Sequence, residues 1–151
     1  MLKSWFMLSG TKRRQPFLTK GVRLKIIRHI FENAKVKGIY IDRLNGYTDH
    51  LHCLFALNAD MSVSKVVQLI KGESSFWINK QKITPAKFEW ANDYYAASVS
   101  ESLVNNVRMY IDHQEQHHQT PALMQVPTDM QEFESFIHHH SSWEVWVKNH
   151  G

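Results

Sequence analysis

Apolar positions recur along this chain with two different periods, and the places where one period gives way to the other mark out its elements. Leu2 to Gly10 (LKSWFMLSG) is dense in aromatic and apolar residues and predicts a strand. A basic loop containing Pro16 follows. The segment LTKGVRLKIIRHIFENAKVKG then sets Val22, Ile26, Ile27, Ile30 and Phe31 on one face at helical spacing, with Arg23, Lys25 and Arg28 elsewhere and Gly38 as the stop. IYIDRL and YTDHLHCLFAL both read as strands, and Asn45-Gly46 between them is the strongest short hairpin signal a sequence carries. In the second of these strands Leu51, Cys53, Phe55 and Leu57 share an apolar face that belongs against helices. His50 and His52 share the other face with Leu54 and Ala56.

A second helix is predicted over MSVSKVVQLIKGESSFWINKQ, capped by Ser62, with Val63, Val66, Val67, Ile70 and Phe76-Trp77 as its buried side and Gly72 as an awkward interior residue. FEWANDYYAASV predicts one or two short strands. SVSESLVNNVRMYIDHQEQHHQ predicts a third helix with Leu103, Val104, Val107 and Ile111 as its stripe, started by a Ser98-x-x-Glu101 capping box or by Ser100. Pro121 and Pro127 mark a break, after which a short amphipathic helix over 129–137 and a tail with Trp143 and Trp146 are expected. The expected division is therefore a main domain over 1–119 and a C-terminal helical tail over 120–151. The order β-α-β-β-α-β-α is that of the split βαβ arrangement. The fold class it predicts is α+β: a ferredoxin-like or RNA-recognition-like antiparallel sheet with helices on one face, an open second face bearing the histidines, and a C-terminal helix.

Composition narrows the function classes. At 151 residues the chain is one domain's worth and long enough to bury a core. No apolar run approaches the roughly 20 residues of a membrane span, and MLKSWFMLSG is too short and mixed for a secretory signal. No membrane partner is expected. The single cysteine, Cys53, excludes an internal disulfide and fits a cytoplasmic location, with a small buried core residue as its simplest role. The net charge of +4 conceals an asymmetry: residues 1–40 carry ten Lys and Arg against Glu32 alone, the middle of the chain is balanced, and residues 100–151 carry seven acids against Arg108 and Lys148. A basic first third points to a polyanionic partner, most simply nucleic acid. Three adjacent cations at Lys12, Arg13 and Arg14 repel one another unless something negative comes close.

Two imidazoles at i and i+2 on a strand can share a metal ion. The pair alone is better read as polar residues on a solvated strand face, because ten histidines make a chance His-x-His common. Tyr110 and Gln114, four residues apart, share a polar and aromatic helix face. Gln114 offers a carbonyl oxygen as a third ligand for a hard metal. Tyr110 offers a phenol, which can attack phosphorus and hold the strand at phosphodiester level; on spacing alone, packing against the sheet is its simpler role. His117-His118 and His138-His139-His140 raise the rival of a zinc site, but adjacent imidazoles on a helix diverge, which favours a polar helix end.

With TKRRQPFL, DHLHCLFAL, SVSKVVQLIKGESSFWIN, FEWANDYYAASVSES and VRMYIDHQEQHH in this order, the chain from about Trp5 to His118 resembles the single-tyrosine HUH (TnpA-type) transposases of the insertion-sequence two-hundred family, including their repeat-associated relatives. The resemblance implies a transposase that nicks and rejoins single-stranded DNA through a 5′-phosphotyrosine intermediate, with 1–119 as its catalytic domain. It implies Tyr110 as nucleophile, His50, His52 and Gln114 as ligands of Mg2+ or Mn2+, and a homodimer in which the tyrosine helix of one chain serves the histidines of the other. It also implies a DNA hairpin folded against a basic surface, to which Lys12, Arg13, Arg14 and Arg23 are assigned as phosphate contacts. Trp90, Tyr94 and Tyr95 are expected mainly in packing, and Glu73-Ser74-Ser75 in a structural role. A phenol ordinarily titrates near 10, and with no general base in view metal proximity is the expected source of activation. The alternatives are a non-catalytic single-stranded DNA- or RNA-binding module, which needs no metal and forms no covalent product, and a nuclease using activated water, which tolerates loss of Tyr110.

Overall fold

The β-α-β-β-α-β-α order is realised in a computed structural model of the chain, which describes residues 2–57 and 60–114. Strand β1 (Lys3–Gly10), helix α1 (Lys20–Val36), strands β2 (Tyr40–Tyr47) and β3 (His50–Leu57), helix α2 (Val63–Lys80), strand β4 (Tyr95–Val99) and helix α3 (Val104–Asp112) follow in turn. The four strands form one antiparallel sheet in the order β2-β3-β1-β4, the ferredoxin-like order expected from the sequence. No helix among the described residues is long and apolar enough to cross a membrane. The expected tail, His117-His118 and His138-His139-His140 lie outside the described residues.

The side-chain alternation of β1 and β3 decides what each face of the sheet buries. Met7, Leu51, Cys53 and Phe55 point to one face. There they meet Ile26, Ile30 and Ala34 of α1 and Val66, Val67, Ile70 and Ile78 of α2. Phe6, Leu8 and Leu54 point to the other and meet Val107, Tyr110 and Ile111 of α3 together with Tyr95 and Val99 of β4. The second face is therefore not open, as the sequence predicts, because α3 of the same chain folds back over it. The cause is legible in α3 itself: Leu103, Val104, Val107 and Ile111 need an apolar surface, and the far side of β1 and β3 is the one available.

Two local signals resolve differently from their sequence reading. Asn45-Gly46 is not the hairpin turn; both residues lie in β2, opposite His52 and Leu51, and the turn is Thr48-Asp49. Gly46 is required by close approach instead, since a Cβ built there would fall 2.1 Å from the His50 carbonyl oxygen. The turn is held by outside partners, with Leu18 N–H donating to the Thr48 carbonyl and Thr11 N–H to that of Asp49. Ser98 lies in β4, so no capping box forms; a 3₁₀ turn over Glu101–Leu103, preceded by Ser100, leads into α3. Helix α2 runs unbroken through Gly72, and Ser62 caps it as expected by accepting from the Lys65 N–H at 3.2 Å. Phe76, expected in the core, is exposed, and its place is taken by Ser74 and Ile78.

Candidate active site

His50 and His52 stand on the α3 side of β3, the strand next to the middle of the sheet. Their rings are 4.9 Å apart, centroid to centroid, and nearly perpendicular. Both are buried, His52 completely. Phe6 of β1 lies 5.4 Å from the His52 ring on one side, and the Tyr110 ring stands edge-on to it at 5.3 Å on the other. Tyr110 is itself only 4 % exposed. It shares the buried side of α3 with Val107 and Ile111, so the separate polar face expected for it merges with the apolar one. The phenol thus reaches the histidines of its own chain.

Five polar atoms at this place are shielded from water: His50 Nε2, both nitrogens of His52, the Tyr110 hydroxyl oxygen and Gln114 Oε1. Burying polar atoms is costly, which makes such a concentration informative. Gln114 adds a clear case. Its amide Nε2 donates to the Tyr110 carbonyl at 2.9 Å, and its buried Oε1 has no hydrogen-bond partner among the described residues. That leaves an oriented carbonyl oxygen one helical turn beyond the phenol.

His50 is held by its neighbour in sequence. Its Nδ1 lies 2.7 Å from Asp49 Oδ1, while Arg14 Nε donates to Asp49 Oδ2 at 3.0 Å. Burial alone would raise the Asp49 carboxyl; the hydrogen bond and charge of His50 and the Arg14 guanidinium outweigh it and hold the group at about 2. When the ring is neutral, an ionised carboxylate on Nδ1 makes that nitrogen the protonated one and leaves the lone pair on the buried Nε2, the arrangement found behind metal-bound imidazoles. Sequence reading missed Asp49. The signal was the acidic residue directly preceding the first histidine, at a hairpin turn.

Among the described residues no three His, Cys, Asp or Glu side chains gather at metal-binding spacing. The donors at this place that could hold an ion are the two imidazoles and the buried Gln114 oxygen. Nitrogen and amide-oxygen ligands match Mg2+ or Mn2+ with positions left for substrate oxygens.

The basic residues divide. Arg13 is exposed, and Arg13 and Arg14 both adopt the left-handed backbone region, with φ of 57° and 55°. Lys12 is half-exposed and paired with Glu89 at 3.1 Å. Arg23, assigned to phosphate from the sequence, is turned inward instead: it is 5 % exposed and donates to the Leu18 carbonyl at 2.9 Å, with its guanidinium over the Tyr47 ring. Trp90 and Tyr95 are core residues, as expected. The Trp90 indole donates to Ser74 Oγ at 2.9 Å and Glu73 pairs with His29, which gives Glu73 and Ser74 the structural roles expected of them. Burial pushes the Cys53 thiol up, so it stays protonated in the core.

The family model described as "Transposase IS200 like" matches residues 6–114. No curated relative matches. Among solved structures, a protein of Deinococcus radiodurans R1 provisionally described as a transposase superposes with a TM-score of 0.59 at 21% identity, over 76% of this chain and 92% of that one. A REP-associated tyrosine transposase bound to a REP hairpin superposes with a TM-score of 0.53 at 18% identity, over 74% of this chain and 64% of that one. At these identities the likeness is one of fold.

Proposed function

Because this chain belongs to the IS200-like transposase family, we propose that it nicks and rejoins single-stranded, hairpin-bearing DNA with Tyr110 as the nucleophile. The observation that carries the reading is the edge-on approach of the Tyr110 ring to His52 at 5.3 Å within one chain. In the forward step the Tyr110 oxygen bonds to the scissile phosphorus and the bond to the 3′ oxygen breaks. The phenolic proton is lost and the leaving oxygen departs as a 3′ hydroxyl. The product is a phosphodiester between tyrosine and the 5′ end, and attack by another 3′ hydroxyl reverses the step and joins new ends without ATP.

His50, His52 and Gln114 are the residues that would hold Mg2+ or Mn2+. When bound, the ion polarises the scissile phosphate and offsets charge developing on its oxygens. Asp49 keeps His50 in the ligating tautomer, and Gln114 is oriented by its own bond to the Tyr110 carbonyl. With His52 fully covered and Tyr110 nearly so, a phosphate enters by a brief opening of α3, which then returns to its seat so that the phenol faces the histidines. A homodimer that shares sites, as the resemblance implies, would arise by exchanging α3 between two chains.

The phosphate contacts fall to the exposed part of the basic loop, led by Arg13 with Lys12 and Arg14 beside it. Two adjacent arginines in the left-handed region store strain on the order of 1–3 kcal/mol each, which is consistent with a loop shaped for an anionic partner. Arg14 also bonds Asp49, so it links the DNA-facing loop to the His50 imidazole.

A second reading keeps binding and drops catalysis, and the closed packing of both histidines under α3 favours it. The two separate on a denaturing gel. End-labelled hairpin DNA incubated with the protein and Mn2+ is expected to give a covalent band that Tyr110→Phe abolishes while hairpin binding persists. Binding without a band in the parent protein supports the second reading. Cleavage that survives Tyr110→Phe supports a water-using nuclease.

A further inference from the structure

Helix α3 does not rest on the sheet by apolar contact alone; it is tied to β2 at two places on either side of Tyr110. On the N-terminal side, Arg108 grips Asp42, with Nε 3.0 Å from both carboxylate oxygens and Nη2 2.7 Å from Oδ2. On the C-terminal side, Asn45 Nδ2 donates to the Ile111 carbonyl at 3.0 Å and to that of Asp112 at 3.4 Å, among the carbonyls a helix leaves without internal donors. Arg43 shares the Asp42 carboxylate, with Nη1 2.9 Å from Oδ1, and adds an exposed contact to Asp112 at 3.3 Å.

The placement of these partners depends on a bulge. Ile41 pairs with Phe55 and Arg43 with the next residue, Leu54, so Asp42 is an extra residue in β2. The insertion keeps both Ile41 and Leu44 in the α1/α2 core although they are three apart. It also turns Asp42 and Asn45 toward α3. Asn45 stands directly opposite His52 in the register, so the strand that references the histidine also references the tyrosine helix.

We propose that Asp42 and Asn45 are positioning residues that set Tyr110 against His52, acting through Arg108 and the C-terminal carbonyls of α3. The proposal rests on Tyr110 being the nucleophile, and it assigns a function to the bulge and to an Asn-Gly pair whose turn role the structure removes. Apolar packing lets a helix slide by fractions of a turn at small cost. A forked guanidinium–carboxylate pair and a carbonyl-capping amide do not, because both are directional. A displacement of about 1 Å at a reacting centre can cost on the order of 100-fold in rate.

The test uses the full chain and two readouts, since only one of them needs the reaction. In the free protein, NMR cross-relaxation between the Tyr110 and His52 rings reports their separation. With labelled hairpin DNA and Mn2+, the rate of covalent adduct formation reports the chemistry, and hairpin affinity is measured alongside. Asp42→Asn and Arg108→Gln are each expected to weaken the inter-ring signal and slow the adduct about 10- to 100-fold, with hairpin affinity unchanged. The double substitution is expected to cost clearly less than the sum of the two, because both remove the same Asp42–Arg108 contact. Asp42→Glu should recover part of the rate, and Asn45→Ala should show a smaller loss of the same kind. Unchanged inter-ring signal in both single variants, or additive losses in the double, would overturn the proposal. A parent protein that forms no adduct would instead refute Tyr110 as nucleophile, while the inter-ring signal would still show whether Asp42 positions it.

Discussion

The two faces of the sheet are buried to the same degree and made of different chemistry. Toward α1 and α2, β3 presents Leu51, Cys53 and Phe55, which join a layer of buried aliphatic and aromatic side chains, with the half-buried His29 at its margin against Trp77. Toward α3 the same strand presents His50, His52 and Leu54, and the covering helix adds a phenol and an amide. The first face is what the hydrophobic effect builds when nothing else is asked of it. The second accepts the desolvation of several polar groups in one place, which stability alone does not explain. Equal burial with unequal composition is therefore the structural signature that separates the core from the candidate site.

Substitutions that treat the two faces alike should have opposite consequences. Tyr110→Phe removes one oxygen from the polar face; it is expected to eliminate the covalent DNA adduct while the thermal midpoint stays near that of the parent. Phe55→Ala, on the apolar face, is expected to cost about 3–5 kcal/mol, read as an earlier denaturation midpoint, with any activity loss tracking the unfolded fraction. Asp49→Asn leaves both cores intact but frees the His50 ring; Mn2+ affinity by calorimetric titration should fall about 10- to 100-fold. His52→Leu sharpens the contrast most. It is expected to leave stability within about 1 kcal/mol of the parent or to raise it, because an apolar side chain replaces a desolvated one, while metal binding is lost. A large destabilisation by His52→Leu would mean that the imidazole is there for packing.

The smallest effect lies away from both faces. Lys71 of α2 donates to the carbonyls of Ala91, Asn92 and Asp93, and burial, partly countered by the Asp93 charge, lowers its ammonium from 10.5 to about 8. Between those values the folded protein has released a proton that the unfolded chain still holds, so raising pH favours the folded state there. Below 8 both states are protonated and this dependence vanishes. Lys71→Met should flatten the stability profile in that window relative to the parent, as followed by denaturant midpoints.

How much of this was legible in the sequence follows the range of the interactions. Element order and the alternation of β3 are local, and both were read correctly; so was the Ser62 cap. The covering of the second face was not, because whether α3 folds back over its own sheet depends on contacts between residues far apart in sequence. The Asn45-Gly46 misplacement is of the same kind. A dipeptide that favours a turn was overridden by a register in which Gly46 meets His50 and Asn45 caps α3. The histidine pair and Tyr110 were found from spacing and family likeness, and the structure brings them together. Asp49 and Asp42 were passed over because their meaning comes from a tautomer and a bulge, neither visible in a one-dimensional pattern. Arg23 was read by its charge alone, and its burial against the Leu18 carbonyl and Tyr47 shows how a basic helix can spend a cation internally.

The most direct measurement is to incubate the intact chain with Mn2+ and hairpin-bearing single-stranded DNA, digest with trypsin, and locate any nucleotide by mass spectrometry. A 5′-phosphoryl nucleotide on Tyr110, in the peptide that begins after Arg108, is the predicted result. An adduct mapped to any other residue, or cleaved DNA with no adduct on Tyr110, would contradict the account.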